Sequence, residues 1–186
     1  RASARAFADS AESIWGTALV SFTFLAYLSI VAGLAQVVVD VYAMPASAVG
    51  LVLGSAIFFQ VTSAQVGRRA LHRFTSIQLL RCGFWFYGLS ALVCLAILLF
   101  GITEFWVFWC SLVAFLVGMG LVFPNATAVT LTPLRRSAGF GASILGTIQI
   151  IFATLGASLT GVFYDRSVAS MMVVVVLGTG LAVSAF

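Results

Sequence analysis

The feature that most constrains this chain is a series of separate apolar runs along its whole length. A run of about 20 apolar residues crosses the roughly 30 Å hydrocarbon layer of a bilayer as an α-helix. The chain is 62% hydrophobic and only 8% charged, and a soluble core does not need several separate runs of that length. These features predict an all-α membrane protein and exclude a soluble globular domain.

The apolar runs predict six transmembrane helices that follow a short polar segment. The predicted spans cover residues about 14–39, 48–66, 77–100, 105–131, 140–163 and 168–186. Residues 1–13 are small, polar and charged, and we interpret them as a linker at the membrane surface. Because the chain begins without methionine and ends at Phe186 inside an apolar run, we expect it to be a fragment of a larger protein.

Arginine residues predict the orientation of the helices. They precede the first span and follow the second and fourth spans, at Arg1, Arg5, Arg68, Arg69, Arg73, Arg135 and Arg136. The intervening links carry Asp40, Glu104, and Asp165 beside Arg166. Arginine-rich short links stay in the cytoplasm, so both ends of the segment are predicted to be cytoplasmic. Topology thus accounts for the net charge of +4, and no nucleic-acid partner is expected.

The fourth predicted span contains a proline, Pro124, which follows Gly118 and Gly120 and precedes Asn125. Proline cannot donate a backbone hydrogen bond, and its ring displaces the carbonyl four residues earlier, here that of Gly120. The Asn125 amide is a local donor for this carbonyl. Two interpretations stay open, a tolerated kink in a packed helix and a bend that acts as a gate.

Polar side chains fall within four of the spans, at Tyr27, Gln60, Asn125 and Gln149. Counting about 1.5 Å per residue from the predicted span ends puts Tyr27, Gln60 and Gln149 roughly halfway across the membrane, with Asn125 nearer the cytoplasm. Polar groups from several helices that meet near the midplane are typical of a substrate cavity. The alternative is that a neighbouring helix satisfies each of them.

The fifth span carries small residues at helical spacing. Gly139, Ser143, Gly146, Ala153, Gly156 or Ala157, and Thr160 or Gly161 recur every three to four residues. Small residues on one face let another helix approach closely. We therefore predict that this stripe is a packing surface.

Catalytic and metal-binding functions are not expected. The single histidine, His72, lies in an arginine-rich link, and neither an HExxH motif nor paired intramembrane aspartates occur. Cys82, Cys94 and Cys110 have unrelated spacings, which predicts buried free thiols rather than a zinc site or redox pair.

Three stretches resemble the C-terminal half of the major facilitator superfamily, and most closely its Bcr/CflA-type drug:proton antiporters. They are Val41–Pro45, Gln65–Phe74 with Leu79–Gly83 after it and, most specifically, FPNATAVTLTPLRRSAGFGASILGTIQ from Phe123. The chain departs from that group at Thr75–Gln78, where Gly-Pro and further arginines are more usual. The resemblance covers nearly the whole chain, as helices seven to twelve of twelve.

The resemblance implies one bundle of a two-bundle transporter, built as a 3+3 inverted repeat in a bacterial inner membrane. It implies alternating access and export of small amphipathic compounds, with the proton gradient as energy source and no cofactor. Its implied partners are membrane lipids, the missing N-terminal six-helix half and a small-molecule substrate. Helices seven and ten line the cavity in that family, with eight and eleven beside them, which implicates Tyr27, Asn125, Gln60 and Gln149.

Two alternative functions stay open at this stage. One is transport of a metabolite or sugar by the same fold, and the other is a six-helix membrane scaffold or channel subunit. No Asp or Glu lies inside a predicted span, with Asp40 at an outer edge. A proton-coupled transporter needs a titrating group in its pathway, so we expect that group in the missing half.

Overall fold

The structure is a computed structural model that describes residues 10–102 and 104–185, apart from the side chains of residues 135–137. Six α-helices follow one another: α1 (Ala11–Gln36), α2 (Ala46–Ala70), α3 (Ser76–Phe100), α4 (Phe105–Leu131), α5 (Ala138–Val162) and α6 (Ala169–Ser184). A π-helical turn, Val37–Val41, extends α1, and a 3₁₀ segment, Thr132–Ser137, joins α4 to α5. The described part of the chain contains no β-strand.

The first five helices are long and apolar enough to cross a membrane, and α6 is shorter, with 16 residues. The prediction of an all-α integral membrane protein is therefore confirmed. All six helices lie within a few residues of the predicted spans. Of the predicted linker, residues 1–9 lie outside the described residues.

The start of α1 corrects one predicted boundary. Ser10 has extended backbone angles, and its hydroxyl accepts a hydrogen bond from the amide of Ser13 at 3.3 Å. This N-cap satisfies one of the free amides at the start of a helix. The helix therefore begins at Ala11, and the linker interpretation is wrong for residues 11–13.

The link between α2 and α3 corrects a second predicted boundary. Arg68 and Arg69 form the last turn of α2, where positive charge stabilises the carbonyl end of a helix, so they do not lie in the loop. Thr75 then caps α3 in a reciprocal capping box with Gln78, with hydrogen bonds of 2.9 and 3.3 Å. The residues that depart from the antiporter pattern thus form a regular helix start.

Helices α1 and α4 form the centre of the bundle. Of their most apolar stretches, 44% and 56% of residues are buried, against 17% in both α2 and α5. α1 packs against α5 and α6, while α4 packs against α2 and α3. α1 also contacts α4, and α3 contacts α6. Exchanging the first three helices with the last three leaves these principal pairings unchanged.

The α1–α5 contact depends on a close backbone approach. A Cβ atom at Gly156 would lie 2.8 Å from the carbonyl carbon of Leu25 and nearer still to its oxygen. The Phe22 and Phe152 rings meet edge-on at 5.2 Å on one side of this point. The hydroxyls of Ser29 and Thr160 are hydrogen bonded on the other side. These contacts make α1 and α5 a parallel pair.

The predicted small-residue stripe is correct only in its second half. Ala153, Gly156 and Thr160 are buried. In contrast, Gly139 and Gly146 have no heavy atom within 4 Å of the position that a Cβ would occupy. The residues that pack the first half of α5 are instead Gly141 and Leu145, the latter 4% exposed, because the helix turns its Gly139 side outward.

Helices α3 and α4 also meet through glycine. A Cβ at Gly118 would lie 3.0 Å from the carbonyl oxygen of Gly83, and Tyr87 stacks on Phe115 at 5.2 Å.

Of the three cysteines, Cys94 is buried, and its thiol lies 2.9 Å from the Ser111 hydroxyl. The other two thiols, at positions 82 and 110, are exposed, so the prediction of three buried thiols is wrong for both.

Candidate functional site

Pro124 is exposed, and α4 continues past it to Leu131. Asn125 follows it and is buried, with 5% of its surface exposed. Its Nδ2 donates to the carbonyl of Leu121 at 2.7 Å. The prediction that this amide bonds the Gly120 carbonyl is therefore wrong by one residue, because the acceptor lies directly one turn below the side chain.

Gly118 and Gly120 lie at helix contacts rather than at open positions. Gly118 faces α3, as described above. A Cβ at Gly120 would meet the backbone of α2, at 3.2 Å from the amide of Ala64 and closer to the carbonyl of Gln60. The Ser63 hydroxyl reinforces this crossing by donating to the carbonyl of Val117 at 3.0 Å. The glycines therefore allow close packing, and their flexibility stays a prediction.

Tyr27 is half-buried and belongs to a chain of aromatic rings. Its ring meets Phe24 edge-on at 5.8 Å, and Phe24 meets Phe123 of α4 at 5.2 Å. Phe123 immediately precedes Pro124, so this chain of rings connects Tyr27 to the predicted kink. The contact between α1 and α4 is antiparallel, since Gly16 faces Thr130 as well.

Tyr27 and Gln60 lie at a similar depth. The antiparallel register of α1 and α4 brings Tyr27, one turn beyond Phe24, to the level of Gly120. Gly120 in turn lies against the carbonyl of Gln60. The depth expected from the sequence thus agrees with the structure for this pair.

Gln149 lies at a different depth. The parallel contacts of Phe22 with Phe152 and of Leu25 with Gly156 place Gln149 beside Ala18. That level is about nine residues, or about 13 Å, nearer the start of α1 than Tyr27. The predicted common depth is therefore wrong for Gln149, because parallel neighbours need not begin at the same level. Gln149 also lies one turn from buried residues on both sides, on the packed face of α5.

A cavity of about 310 Å³ lies beside the proline, between α2, the start of α3 and α4. Its walls are Ala64, Gln65, Arg68, Leu71, Ser76, Pro124, Asn125 and Ala128. One charged and three polar side chains thus face an otherwise apolar space, a composition suited to amphipathic molecules. Tyr27, Gln60 and Gln149 are not among the residues that line it.

The arginines of the links have separate positions. Arg68, Arg69 and Arg73 are all exposed at the same end of the bundle, and of these three only Arg68 lines the cavity. We call this the arginine-rich end; α1 begins here, because Ser13 donates to the carbonyl of Thr130 at 3.0 Å. The side chains of Arg135 and Arg136 lie outside the described residues.

The opposite end carries a contact that sequence reasoning missed. The hydroxyl of Tyr164, in the α5–α6 link, donates to Oδ2 of Asp40 at 2.9 Å. Burial, this hydrogen bond and the charge of Asp40 raise the pKa of Tyr164 to about 12. Asp40 lies in the π-helical turn, and such turns are frequent at functional positions. No sequence signal joins these two residues, because they are far apart in the chain.

Two further groups at the end opposite the arginine-rich end have shifted pKa values. The aromatic ring of Tyr42 packs against Phe105 at 5.3 Å, and burial, followed by the charge of Glu104, raises the pKa of Tyr42 to about 12. The Asp165 carboxylate accepts from the Ser167 hydroxyl at 2.6 Å, which lowers the pKa of Asp165. The ring contact and the hydrogen bond hold the links in place, and neither one joins two ionisable side chains.

Within the described residues, no group of three His, Cys, Asp or Glu side chains is arranged to hold a metal ion. The chemistry that the candidate site offers is thus hydrogen bonding, one arginine charge and apolar contact. Comparison with protein-family models and with curated proteins gives no match.

Proposed function

We propose that this chain is one six-helix bundle of a membrane transporter that works by alternating access. The substrate class proposed is small amphipathic compounds, exported in exchange for protons through a path between this bundle and a second one. The observation that carries the proposal is the pairing of helices, which is unchanged when α1–α3 are exchanged with α4–α6. Inverted three-helix repeats would produce that pairing, and they build many secondary transporters.

Two further observations support the proposal. Helices α2 and α5 each pack against one central helix and leave most of their surface uncovered, as expected if a second bundle and lipid cover them. The cavity beside Pro124 combines apolar walls with Gln65, Arg68 and Asn125, which suits substrates that carry both apolar and polar groups. It also lies where a bend in α4 would change its width.

The test is drug susceptibility of cells that express the full-length parent protein, with and without a protonophore. Expected results are raised resistance, loss of that resistance with the protonophore, and weaker resistance for Asn125→Ala and Pro124→Ala. Thr132→Ala is the matched control, since its exposed hydroxyl donates to the carbonyl of Ala128 at 2.7 Å and is not on the cavity wall. Unchanged susceptibility across a broad panel, with the protein present in the membrane, would remove drug export.

A further inference from the structure

An apolar groove runs along the outside of the bundle between α3 and α6. Two cavities, of about 330 and 400 Å³, share Gly88 of α3 and Val183 of α6 as lining residues and therefore adjoin. We call this the α3–α6 groove and define it by Gly88, Leu92, Leu95, Val176, Gly180 and Val183. It shares no lining residue with the cavity beside Pro124 and is separate from the proposed transport path.

Two glycines keep the groove open. At Gly88 and at Gly180, a Cβ would meet no heavy atom within 4 Å, so neither glycine is required for helix packing. The hydroxyl of Thr179, which also lines the groove, donates to the carbonyl of Val175 at 2.7 Å. The groove therefore presents hydrocarbon to a ligand, and an acyl chain matches such a surface.

One end of the groove carries a positive charge. Arg81 lines the second cavity together with Trp85, which is 81% exposed. Arg81 lies more than one turn inside α3, which begins at Ser76. An arginine at this depth needs a partner for its charge, and no ion pair with Arg81 forms within the part of the chain that the structure describes.

Of the four described carboxylates, only Glu12, in the first turn of α1, is at the arginine-rich end, and it forms no ion pair with Arg81; the other three are at the opposite end of the bundle. Asp40, Glu104 and Asp165 lie beyond the far ends of α1, α3 and α5, whereas Arg81 lies near the arginine-rich end. A ligand with a negative charge at one end and an apolar chain at the other would match both parts of the groove. A phospholipid with an anionic headgroup has this arrangement, and its phosphate forms charge-assisted hydrogen bonds with guanidinium.

We propose that the α3–α6 groove binds an anionic phospholipid, with its phosphate at Arg81 and one acyl chain between Gly88 and Gly180. Trp85, one turn further into α3 than Arg81, then lies beside the first part of the acyl chain. The distance from Arg81 to Leu95 is about 21 Å along the helix. The hydrocarbon half-layer is roughly 15 Å thick, so the groove is long enough for a whole chain.

The test is native mass spectrometry of the full-length protein with phosphatidylglycerol or phosphatidylcholine of identical acyl chains. The wild-type protein is expected to retain phosphatidylglycerol with about a fivefold preference, the effect of one arginine near an anionic headgroup. Arg81→Gln should remove this preference and Arg81→Lys should keep it. Arg69→Gln is the matched control, because Arg69 is exposed at the same end but does not line the groove.

A second set of variants tests the acyl-chain part. Gly88→Leu and Gly180→Leu place side chains in the groove at positions where a Cβ meets no heavy atom within 4 Å, and together they are expected to lower retention of both lipids at least fivefold, because the displaced CH₂ groups of the acyl chain lose their burial. Gly161→Leu, at another open glycine on α5, should retain both at the wild-type level. Equal retention of the two lipids by the wild-type protein would overturn the proposal. So would a double variant that matches its control, or a dimer that displaces lipid from the groove. If the double variant does not fold, the Arg81 variants decide.

Discussion

Replacing Gly156 by alanine tests whether α1 and α5 meet backbone to backbone. The new Cβ would lie 2.8 Å from the carbonyl carbon of Leu25, whereas carbon atoms pack best at about 3.5–4.0 Å. The two helices must therefore separate by at least about 0.7 Å, and by more to clear the carbonyl oxygen, which is closer still, because a backbone atom cannot rotate away as a side chain does. Overpacking of this kind costs about 1–3 kcal/mol, partly offset by the roughly 0.5–1 kcal/mol that alanine gains over glycine within a helix.

Gly146→Ala, on the same helix, is the matched control. Its Cβ meets no heavy atom within 4 Å, so only the helix preference acts and stability should rise by about 0.5–1 kcal/mol. The assay is unfolding in mixed SDS and mild detergent, followed by circular dichroism. Gly156→Ala should be less stable than Gly146→Ala by about 1–3 kcal/mol. Equal stability, or rescue of Gly156→Ala by Leu25→Ala, would refute a contact with the Leu25 backbone.

Three other changes have defined outcomes. Pro124→Ala restores an amide that donates to the carbonyl of Gly120, so the same unfolding assay should show about 1–3 kcal/mol more stability; a loss would show that the proline ring packs. Ser29→Ala removes the hydrogen bond to Thr160 and should cost about 0.6 kcal/mol, measured in the same way. Tyr164→Phe should reduce the absorbance change at 295 nm near pH 12 by one tyrosine, with Tyr42 still titrating there. Because the folded pKa of Tyr164 is raised, its bond to Asp40 stabilises the fold fully below about pH 10 and is lost as the pH rises through 12.

The number and positions of the helices were predictable because apolar length is read directly along the chain. The end of α3 was also predictable from local sequence, because a glycine follows it. Gly101 adopts a left-handed φ of 62°, and this conformation ends the helix. The predicted candidates Tyr27 and Gln60 lie at one level for a similar reason. Both were counted from helix ends that correspond closely to the real ones.

The contacts between helices were not predictable in the same way. Gly146 and Gly156 are equally good packing residues in a periodic pattern, yet only Gly156 faces α1. The difference depends on the rotation of α5 about its own axis, which its partner determines. The predicted depth of Gln149 was wrong for a related reason. Sliding one helix along a parallel neighbour changes its depth but changes no local property of the sequence.

The close contacts indicate which parts of the bundle can move together. α4 is held to α2 at Gly120 and Ser63, and this crossing lies before Pro124 in the chain. After Pro124, the 310 Å³ cavity lies between α4 and α2, with Asn125 and Ala128 on its wall. A bend at the proline would therefore leave the crossing intact and change the cavity width. The glycines hold the part of α4 before Pro124 against α2 and α3, whereas the end of α4 is held to α1, because Ser13 donates to the carbonyl of Thr130. A bend at the proline would therefore have to move the start of α1 together with the end of α4.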